Sequence, residues 1–515
     1  MRLVAEVGDH LHHGFEVVET SVGVPTDIQA QHWPWPTLCA KVPGMASIDF
    51  PADDNGRRST SAFGRSVVAD ALRPIDPTGV GAAEREPNWR RGYLTHFRRL
   101  IDAGLTSPEG WTASAAAGLE SVHRRMVVGD QPLDQWPTSG TKLGTARVEG
   151  TAGPLTELLL PVRGQRLGNE ELDRRLTTWV EQGVMEAGAA TAVRRVAEHP
   201  EWLRADGHTI VALGAGSEMG PTRALLRWGA TVAAVDLPRK AVWKRLAEVA
   251  EKRAGTLLAA STSDLPNAGL DVTAEVPALA AWIGGLPGRV VLGNYVYADG
   301  AANLRVSAAV DALTTRVLAE RPDTALAFLA TPTDVFVVPE DAVAQSTHAY
   351  ADRRLSPKLI GRPLRGLSGG RLLTRQYAPG SNPGIHDALV PQQGPNYALA
   401  KRLQRWRATV ERSQGRTVSM NIAPPTRTQS VVKNRALAAA YAGAHRFGVE
   451  VFEPATSNVL MAALLIHDLH VPMPDHPHPW QDEAEQAVHG GLWRTAYAPR
   501  SALGLAALFG LGPRA

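Results

Sequence analysis

The sequence predicts an α/β fold, in which a doubly wound parallel sheet follows a mainly helical N-terminal region. Two observations support this prediction. From about residue 206 onward, short apolar segments alternate with amphipathic segments of ten or more residues, which is typical of parallel strands joined by right-handed helical crossovers. In residues 88–105 and 171–199, apolar residues recur three and four positions apart, as they do on one face of a helix.

Composition sets wide limits on size and partners. The 515 residues are enough for two to four domains at roughly 100–200 residues each. Hydrophobic residues make up 44% and charged residues 20% of the chain, as in ordinary globular proteins. With 54 basic and 51 acidic residues, nucleic acid is not expected as a partner. We interpret the stripe of Arg402, Arg405 and Arg407 as the solvated face of a helix.

Cysteine usage and hydropathy predict a cytoplasmic protein. Cys39 is the single cysteine, which excludes an internal disulfide and fits a reducing compartment. The sequence begins without a signal-peptide pattern. It also contains no apolar run of about eighteen residues, so we expect no membrane span.

Four regions are expected along the chain. Residues 1–85 are rich in Pro and His and are predicted to be irregular or poorly ordered. Residues 86–205 are predicted to form a mainly helical module. The sheet domain is expected over 206–470, with an insertion at 340–396, and residues 471–515 are expected to form a tail on the substrate side.

The sheet domain is predicted element by element. Apolar segments predict strands at 208–216, 231–237, 269–272, 289–297, 324–331, 416–423 and 449–455. The segments between them predict helices at 221–230, 239–253, 276–286, 304–320, 396–413 and 431–447. In such a sheet the ligand binds at the carboxyl ends of the strands.

A glycine-rich loop follows the first of these strands. Residues 214–220 read Gly-Ala-Gly-Ser-Glu-Met-Gly and lead into a helix. Gly214, Gly216 and Gly220 allow a tight turn and a close approach to a pyrophosphate, whose charge a helix N-terminus stabilises, and Ser217 adds a hydroxyl. The context predicts a Rossmann domain that binds a dinucleotide.

Asp236 ends the second predicted strand, sixteen residues beyond Gly220. A carboxylate there can accept hydrogen bonds from an adenosine ribose, which favours NAD. Arg239 and Lys240 follow closely and can instead hold a 2′-phosphate, so NADP stays open. The pattern gives a modest preference for NAD.

The segment 397–401 reads Tyr-Ala-Leu-Ala-Lys and begins a predicted helix. Tyr397 and Lys401 are about one helical turn apart and therefore share a face. A phenol with a pKa of about 10 is a poor acid or base at neutral pH, and a nearby ammonium lowers that pKa. The pair is therefore a candidate for proton transfer.

Together these motifs resemble the short-chain dehydrogenase/reductase family over roughly 260 residues. Gly214 and Gly220 match the outer glycines of the family's phosphate loop, and Glu218 replaces its middle glycine. Tyr397 and Lys401 match its Tyr-x-x-x-Lys signature. The resemblance implies catalysis by this pair.

The same resemblance implies further site residues. Asp271 and Val272 match the family's acidic turn that contacts the adenine. Asn294 ends the fourth strand, and Asn303 opens the next helix where the family has an asparagine. The remaining matches form the family's loop over the nicotinamide and include Asn421, Pro424 and Thr426.

The family's catalytic serine has no evident match. Thr331, at the end of the fifth predicted strand, is the first candidate for its hydroxyl, and Ser381 in the insertion is the second. The resemblance therefore implies an NAD(P)-dependent oxidoreductase that interconverts a carbonyl and an alcohol. Aromatic and apolar residues in the tail suggest a bulky acyl or polyketide-like substrate.

Other interpretations of the sequence compete with this one. A dinucleotide-binding sensor or scaffold without chemistry stays open because of Glu218 and the missing serine. A Gly-x-Ser-x-Gly hydrolase elbow at 366–370 lacks the flanking strand and helix that it requires. The histidines at 467–478 are interpreted as loop residues, so no metal is predicted. The sequence leaves the oligomeric state open.

Overall fold

The computed structural model describes residues 47–136, 140–261, 265–353, 363 and 365–511. The strands among these residues are, in chain order, β1 (Ile48–Asp49), β2 (Val127–Val128), β3 (Gln131–Pro132), β4 (Gly144–Glu149), β5 (Leu160–Val162), β6 (Gln165–Leu167), β7 (His208–Leu213), β8 (Thr231–Val235), β9 (Thr256–Ser261), β10 (Arg289–Asn294), β11 (Ala325–Ala330), β12 (Val335–Val338), β13 (Gly384–Asp387) and β14 (Val418–Ile422).

The α-helices among the same residues are α1 (Thr60–Leu72), α2 (Pro77–Glu84), α3 (Trp89–Gly104), α4 (Pro108–Arg125), α5 (Asn169–Glu181), α6 (Ala187–Glu198), α7 (Thr222–Trp228), α8 (Lys240–Glu251), α9 (Val272–Gly284), α10 (Gly300–Glu320), α11 (Glu340–Ala351), α12 (Pro395–Ser413), α13 (Gln429–Lys433), α14 (Arg435–Gly443), α15 (Pro454–His470), α16 (Pro479–Glu485) and α17 (Pro499–Leu511). Short 3₁₀ turns lie at Leu133–Gln135, Pro200–Arg204, Leu265–Asn267, Ala444–Phe447 and Leu492–Arg494. Of the helices just given, none combines the length and the apolar character needed to cross a membrane.

A seven-stranded sheet lies at the centre of the fold. Its order is β14-β11-β10-β7-β8-β9-β4. Six of these strands run parallel to one another, namely β7, β8, β9, β10, β11 and β14. The seventh, β4, pairs antiparallel with β9 at the edge. The predicted α/β class, with a mostly parallel sheet, is confirmed.

Each face of this sheet is covered by its own hydrophobic core. Because successive strand residues point to opposite faces, Val211 and Leu213 pack into one core and Ile210 and Ala212 into the other. The first core also includes buried side chains of α1, α3, α4, α9, α10 and α12. The second includes those of α5, α6, α7, α8 and α15.

The structure differs from the expectation of irregular chain in residues 1–85. Helices α1 and α2 lie in that range, and residues 1–46 lie outside the described residues. The Ser59 hydroxyl accepts the Ala62 amide at 3.2 Å, and the Asp76 carboxylate accepts the Gly79 amide at 2.9 Å. Such side-chain caps satisfy the first amides of a helix. These local signals outweigh the weak periodicity on which the expectation rested.

Two parts of the sheet were assigned wrongly from the sequence. The third parallel strand is β9 at Thr256–Ser261, not residues 269–272. The latter lead into α9, which Asp271 caps through the Thr273 amide at 2.9 Å. The edge strand β4, in a stretch rich in Gly and Thr, was not predicted at all because its pairing partner lies more than 100 residues away.

The C-terminal part of the domain also differs from its prediction. The single helix expected at 431–447 is broken at Asn434, where the backbone is extended and the side-chain oxygen caps α14 by accepting the Leu437 amide at 3.1 Å. The strand expected at 449–455 is wrong, since Phe452 forms only an isolated bridge with Thr426. The insertion at 340–396 contains α11 and β13, and β13 pairs with β12.

Candidate functional site

The carboxyl ends of the parallel strands bring most of the predicted site residues to one edge of the sheet. Gly214 follows β7, Asp236 follows β8, and Asn294 is the last residue of β10. Thr331 follows β11, and Pro424 lies just beyond β14. Because these strands are parallel, their carboxyl ends share that edge, which is where α/β proteins bind ligands.

The glycine loop is packed tightly against its neighbours. Gly214 has a φ of +81°, and its amide donates to the Val235 carbonyl at 2.8 Å. A Cβ on Gly214 would lie 2.8 Å from the carbonyl oxygen of Tyr295, and a Cβ on Gly216 would lie 3.1 Å from the carboxylate of Asp236. The positive φ and the close carbonyl oxygen therefore require glycine at position 214, whatever the loop binds. A side chain at position 216 would have to displace the Asp236 carboxylate by a few tenths of an ångström.

Asp236 is buried beside this loop. One carboxylate oxygen accepts the Gly216 amide at 2.8 Å, and the other accepts the Leu237 amide at 2.8 Å. Burial raises the pKa of Asp236 above its ordinary value. Its backbone carbonyl accepts the Leu270 amide at 2.9 Å, which brings the Asp271 turn to the same edge. The Asp271 carboxylate itself is occupied by Thr273.

The second half of the glycine loop is held by two residues from distant parts of the chain. The Glu218 carboxylate accepts the Gln429 amide at 2.8 Å, and the Asn458 side chain donates to the Gly220 carbonyl. Ser217 contributes its amide, which donates to the Gly214 carbonyl at 3.0 Å. Glu218, where the family has a glycine, thus ties the loop to the segment beyond β14.

Two buried side-chain donors near this edge lack hydrogen-bond partners within the described residues. They are the Thr222 hydroxyl, directly after the glycine loop, and the Asn303 side-chain NH₂. The Asn303 oxygen accepts the Ala298 amide at 3.1 Å. Asn294 is buried at the end of β10, and its oxygen accepts the Val296 amide at 3.4 Å. Unpaired buried donors such as Asn303 are the groups that a polar ligand can satisfy.

Thr331 lies beside Tyr397, and the interaction of its side chain with the phenol by itself lowers the pKa of Tyr397. Burial has the larger effect and raises that pKa to about 12. The expectation that the ammonium lowers the phenol's pKa is therefore not met in the protein alone. The Thr331 hydroxyl also lies 2.9 Å from that of Thr333.

Lys401 lies one helical turn beyond Tyr397, in α12. Its ammonium donates to the Leu329 carbonyl at 3.4 Å and to the Gln404 side chain at 3.5 Å. Burial lowers the pKa of Lys401 to about 8, and the negative charge of Asp334 opposes that shift only in part. The amine can therefore exchange a proton close to neutral pH.

Two further tyrosines lie near Tyr397 and were not predicted from the sequence. The Tyr297 ring meets that of Tyr397 edge-on at 6.3 Å, and its hydroxyl donates to Asp299 at 3.0 Å. The negative charge that Tyr441 carries when it is ionised raises the pKa of Tyr397. The position of Tyr297 just after β10 was a usable signal, whereas the approach of Tyr441 from α14 was not visible in the sequence.

The other predicted residues have partners of their own. The Ser381 hydroxyl donates to the Ala378 carbonyl at 3.0 Å in its own loop, so the contact with Tyr397 is made by Thr331. The Thr426 hydroxyl donates to the Pro424 carbonyl at 2.8 Å and lies 2.7 Å from the Ser457 hydroxyl.

The arginine stripe on α12 is buried, contrary to its interpretation as a solvated face. Arg405 bonds to Asp334 at 2.8 Å and to Glu483 at 2.6 Å, while Arg402 bonds to Asp334 at 2.9 Å. Arg407 pairs with Asp311 at 2.8 Å. These ion pairs fix the helix that holds Tyr397 and Lys401.

The C-terminal histidines are engaged separately. His470 stacks on Trp202 at 4.7 Å, His476 lies 2.7 Å from the carboxylate of Asp482, and His478 caps α16. Among the described residues, no cluster of three His, Cys, Asp or Glu side chains could hold a metal ion.

No protein-family model matches this chain, and no curated protein matches it either. The resemblance to short-chain dehydrogenases/reductases therefore rests on the residues described above.

Proposed function

We propose that this protein is an NAD(P)-dependent oxidoreductase of the short-chain dehydrogenase/reductase type. The observation that carries the proposal is the position of the Thr331 hydroxyl beside the Tyr397 phenol, with Lys401 one turn further along α12. Thr331 directly follows β11, at the carboxyl edge of the parallel sheet where α/β proteins bind ligands. A hydroxyl, a phenol and an amine in that arrangement suit the interconversion of a carbonyl and an alcohol.

We also propose that the sheet is a doubly wound Rossmann fold. Numbered from β7 along the chain, the six parallel strands have the spatial order 3-2-1-4-5-6, which is the order of dinucleotide-binding domains. The chain changes direction across the sheet beside β7, next to the glycine loop. Ligands of such folds bind at this switch point.

The residues at this edge support a nicotinamide cofactor. Asp236 would bind the adenosine ribose, which favours NAD, and the Thr222 hydroxyl and the Asn303 amide, both without partners in the described structure, would bond to cofactor oxygens. When bound, the nicotinamide would supply or accept the hydride. Glu218 opposes a pyrophosphate by its charge, and its bond to Gln429 offsets part of that repulsion.

The proton chemistry follows from the chain's own groups. In the reductive direction, the Tyr397 phenol donates its proton to the carbonyl oxygen, and in the oxidative direction it takes the proton back. Thr331 hydrogen-bonds the same oxygen. Lys401, with its pKa of about 8, returns the proton to Tyr397 and tunes its acidity when charged.

A second candidate is a dinucleotide sensor or scaffold without chemistry. Two observations favour it, namely the carboxylate of Glu218 in the phosphate loop and the pKa of Tyr397, which burial raises to about 12. A phenol that stays protonated at neutral pH is a poor base. This candidate shares the cofactor and differs only in turnover.

The test begins with titration of the purified protein with NADH and NADPH, followed by fluorescence. Binding of either supports the cofactor site. Preference for NADH would assign the adenosine ribose to Asp236, and preference for NADPH would assign the 2′-phosphate to Arg239 and Lys240. Binding of neither would remove the proposal. Turnover of a panel of ketones is then measured for the wild type, for Tyr397→Phe and for the control Tyr350→Phe, which lies outside the site.

An oxidoreductase loses activity in Tyr397→Phe, by about 100-fold or more, and keeps it in Tyr350→Phe. Cofactor binding without turnover of any ketone supports the sensor. The aromatic and apolar tail further favours a bulky acyl or polyketide-like substrate. Turnover that rises with acyl length would support that substrate class, and equal use of short and long ketones would exclude it.

A further inference from the structure

Helices α13, α14 and α17 present apolar side chains to solvent. The five large apolar residues involved are between 36% and 73% exposed, namely Val432, Leu437, Leu508, Phe509 and Leu511. Elsewhere in the described structure only Tyr297 and Leu367 among the large apolar residues are comparably exposed. A group of exposed apolar side chains on neighbouring helices indicates a binding surface.

The packing of α14 on α17 brings the apolar side chains of these two helices close to one another, and α13 directly precedes α14 in the chain. A Cβ on Gly443 would overlap the Ala506 carbonyl, and a Cβ on Gly510 would overlap the Ala439 carbonyl. The two helices therefore cross antiparallel at very short range. In this register, Leu437 lies at the same end of the pair as Leu511.

The chain segment that contributes Val432 and Leu437 carries only positively charged residues. Between residues 427 and 449 the sequence has no Asp or Glu, and its basic residues Arg427, Lys433, Arg435 and Arg446 are all exposed. In the part of the chain that the structure describes, Arg427, Arg435 and Arg446 form no ion pair. We call the four basic and five apolar residues together the basic apolar face.

We propose that the basic apolar face binds the surface of an anionic lipid membrane. Exposed apolar side chains enter the interface between headgroups and acyl chains, while neighbouring Arg and Lys residues attract anionic headgroups. A second copy of the same face would bring like charges together, which disfavours self-association. The inference does not depend on the proposed oxidoreductase activity.

The test is sedimentation of the full chain with vesicles of phosphatidylcholine, with and without phosphatidylserine. We expect binding only to the anionic vesicles and a loss of binding as salt is raised. The double variant Arg435→Glu/Arg446→Glu should bind at least about 10-fold more weakly. Lys252→Glu, an exposed charge reversal on a different helix end, is its matched control and should bind as the wild type does.

The apolar half of the face is tested with Phe509→Ser/Leu511→Ser, for which the exposed Leu367→Ser is the control. We expect the double variant alone to lose vesicle binding while its thermal unfolding stays unchanged. Equal sedimentation with and without phosphatidylserine would overturn the proposal, as would no binding to either vesicle. A wild-type dimer that Phe509→Ser/Leu511→Ser converts to a monomer would assign the face to a second copy and overturn it too.

Discussion

At the scale of single residues, the buried side of α12 is held by ion pairs. Arg405 lies between the carboxylates of Asp334 and Glu483, and all three side chains are buried. The sequence showed three arginines on one helix but not the partners of Arg402 and Arg405, which lie more than 65 residues away. A charged helix face is usually solvated, so composition alone gave the wrong interpretation.

Removal of Arg405 should leave Glu483 buried without its cation and leave Asp334 with Arg402 alone. We expect Arg405→Met to lower the free energy of unfolding by about 3–5 kcal/mol, because two carboxylates lose their shared cation. The measurement is urea unfolding followed by circular dichroism. Arg57→Met, which breaks an exposed pair with Asp53, is the control and should cost about 1 kcal/mol or less. Equal losses in the two variants would contradict the argument.

Because of Lys401, the free energy of unfolding should change with pH in the alkaline range. Burial lowers its pKa from 10.5 to about 8. Between these values the unfolded chain binds more protons than the folded protein, so the free energy of unfolding rises with pH in this window. Below this pH window, burial of the charged ammonium lowers the free energy of unfolding by up to about 3 kcal/mol.

The variant Lys401→Met should therefore be more stable than the wild type at about pH 7, and its advantage should shrink towards about pH 10. Urea unfolding at the two pH values measures the change, since other titrating groups are common to both proteins. Lys240→Met, which removes an exposed lysine, is the matched control and should show no such trend. An advantage for Lys401→Met that stays constant with pH would refute the assignment.

At the scale of elements, strands with strong local signals were predicted, and those that depend on distant pairing were not. The apolar runs of β7, β8, β10, β11 and β14 all lie within their predicted ranges. By contrast, β4 pairs with β9 across more than 100 residues, and its exposed, polar alternation gives little local signal. Helix α15 is buried over most of its length, so it lacks the amphipathic period by which helices are recognised.

The contact between α14 and α17 is the tightest helix pair that the glycines reveal. A methyl group at position 443 would overlap the Ala506 carbonyl. We expect Gly443→Ala to lower the free energy of unfolding by about 1–3 kcal/mol, because the helices must separate. Gly153→Ala, where a Cβ meets open space, should leave stability nearly unchanged. Thermal unfolding of both variants measures the difference. A Gly443→Ala variant as stable as the wild type would show that the helices are free to move apart.

At the scale of the whole molecule, the candidate site was predicted in part. The glycine loop, Asp236, Tyr397 and Lys401 have sequence motifs. The structure places the glycine loop and Asp236 directly after strands at one edge of the sheet, and Tyr397 and Lys401 one turn apart on α12. The contact of Thr331 with Tyr397 depends on an insertion of about sixty residues folding away from it. Nothing local to either residue specifies that path.

The described residues before residue 206 are built into the rest of the molecule. The His123 ring lies 2.6 Å from the Asp311 carboxylate, and the Tyr93 phenol donates to the Val390 carbonyl at 2.9 Å. In addition, β4 forms the edge of the central sheet. All described residues belong to one compact unit, while the boundaries expected at 205 and 470 stay predictions.

A fragment of residues 206–515 should therefore not fold on its own. Without the first 205 residues, the edge of β9 is unpaired and the faces of α10 and α12 that pack on α4 are exposed to water. We expect such a fragment to aggregate or to unfold without cooperativity, since exposed strand edges and apolar faces both promote association. Co-expression with residues 1–205 as a separate chain is the control and should restore a soluble complex with a cooperative transition. A fragment that unfolds cooperatively at the temperature of the full chain would show instead that the sheet domain is independent, with the boundary near residue 205.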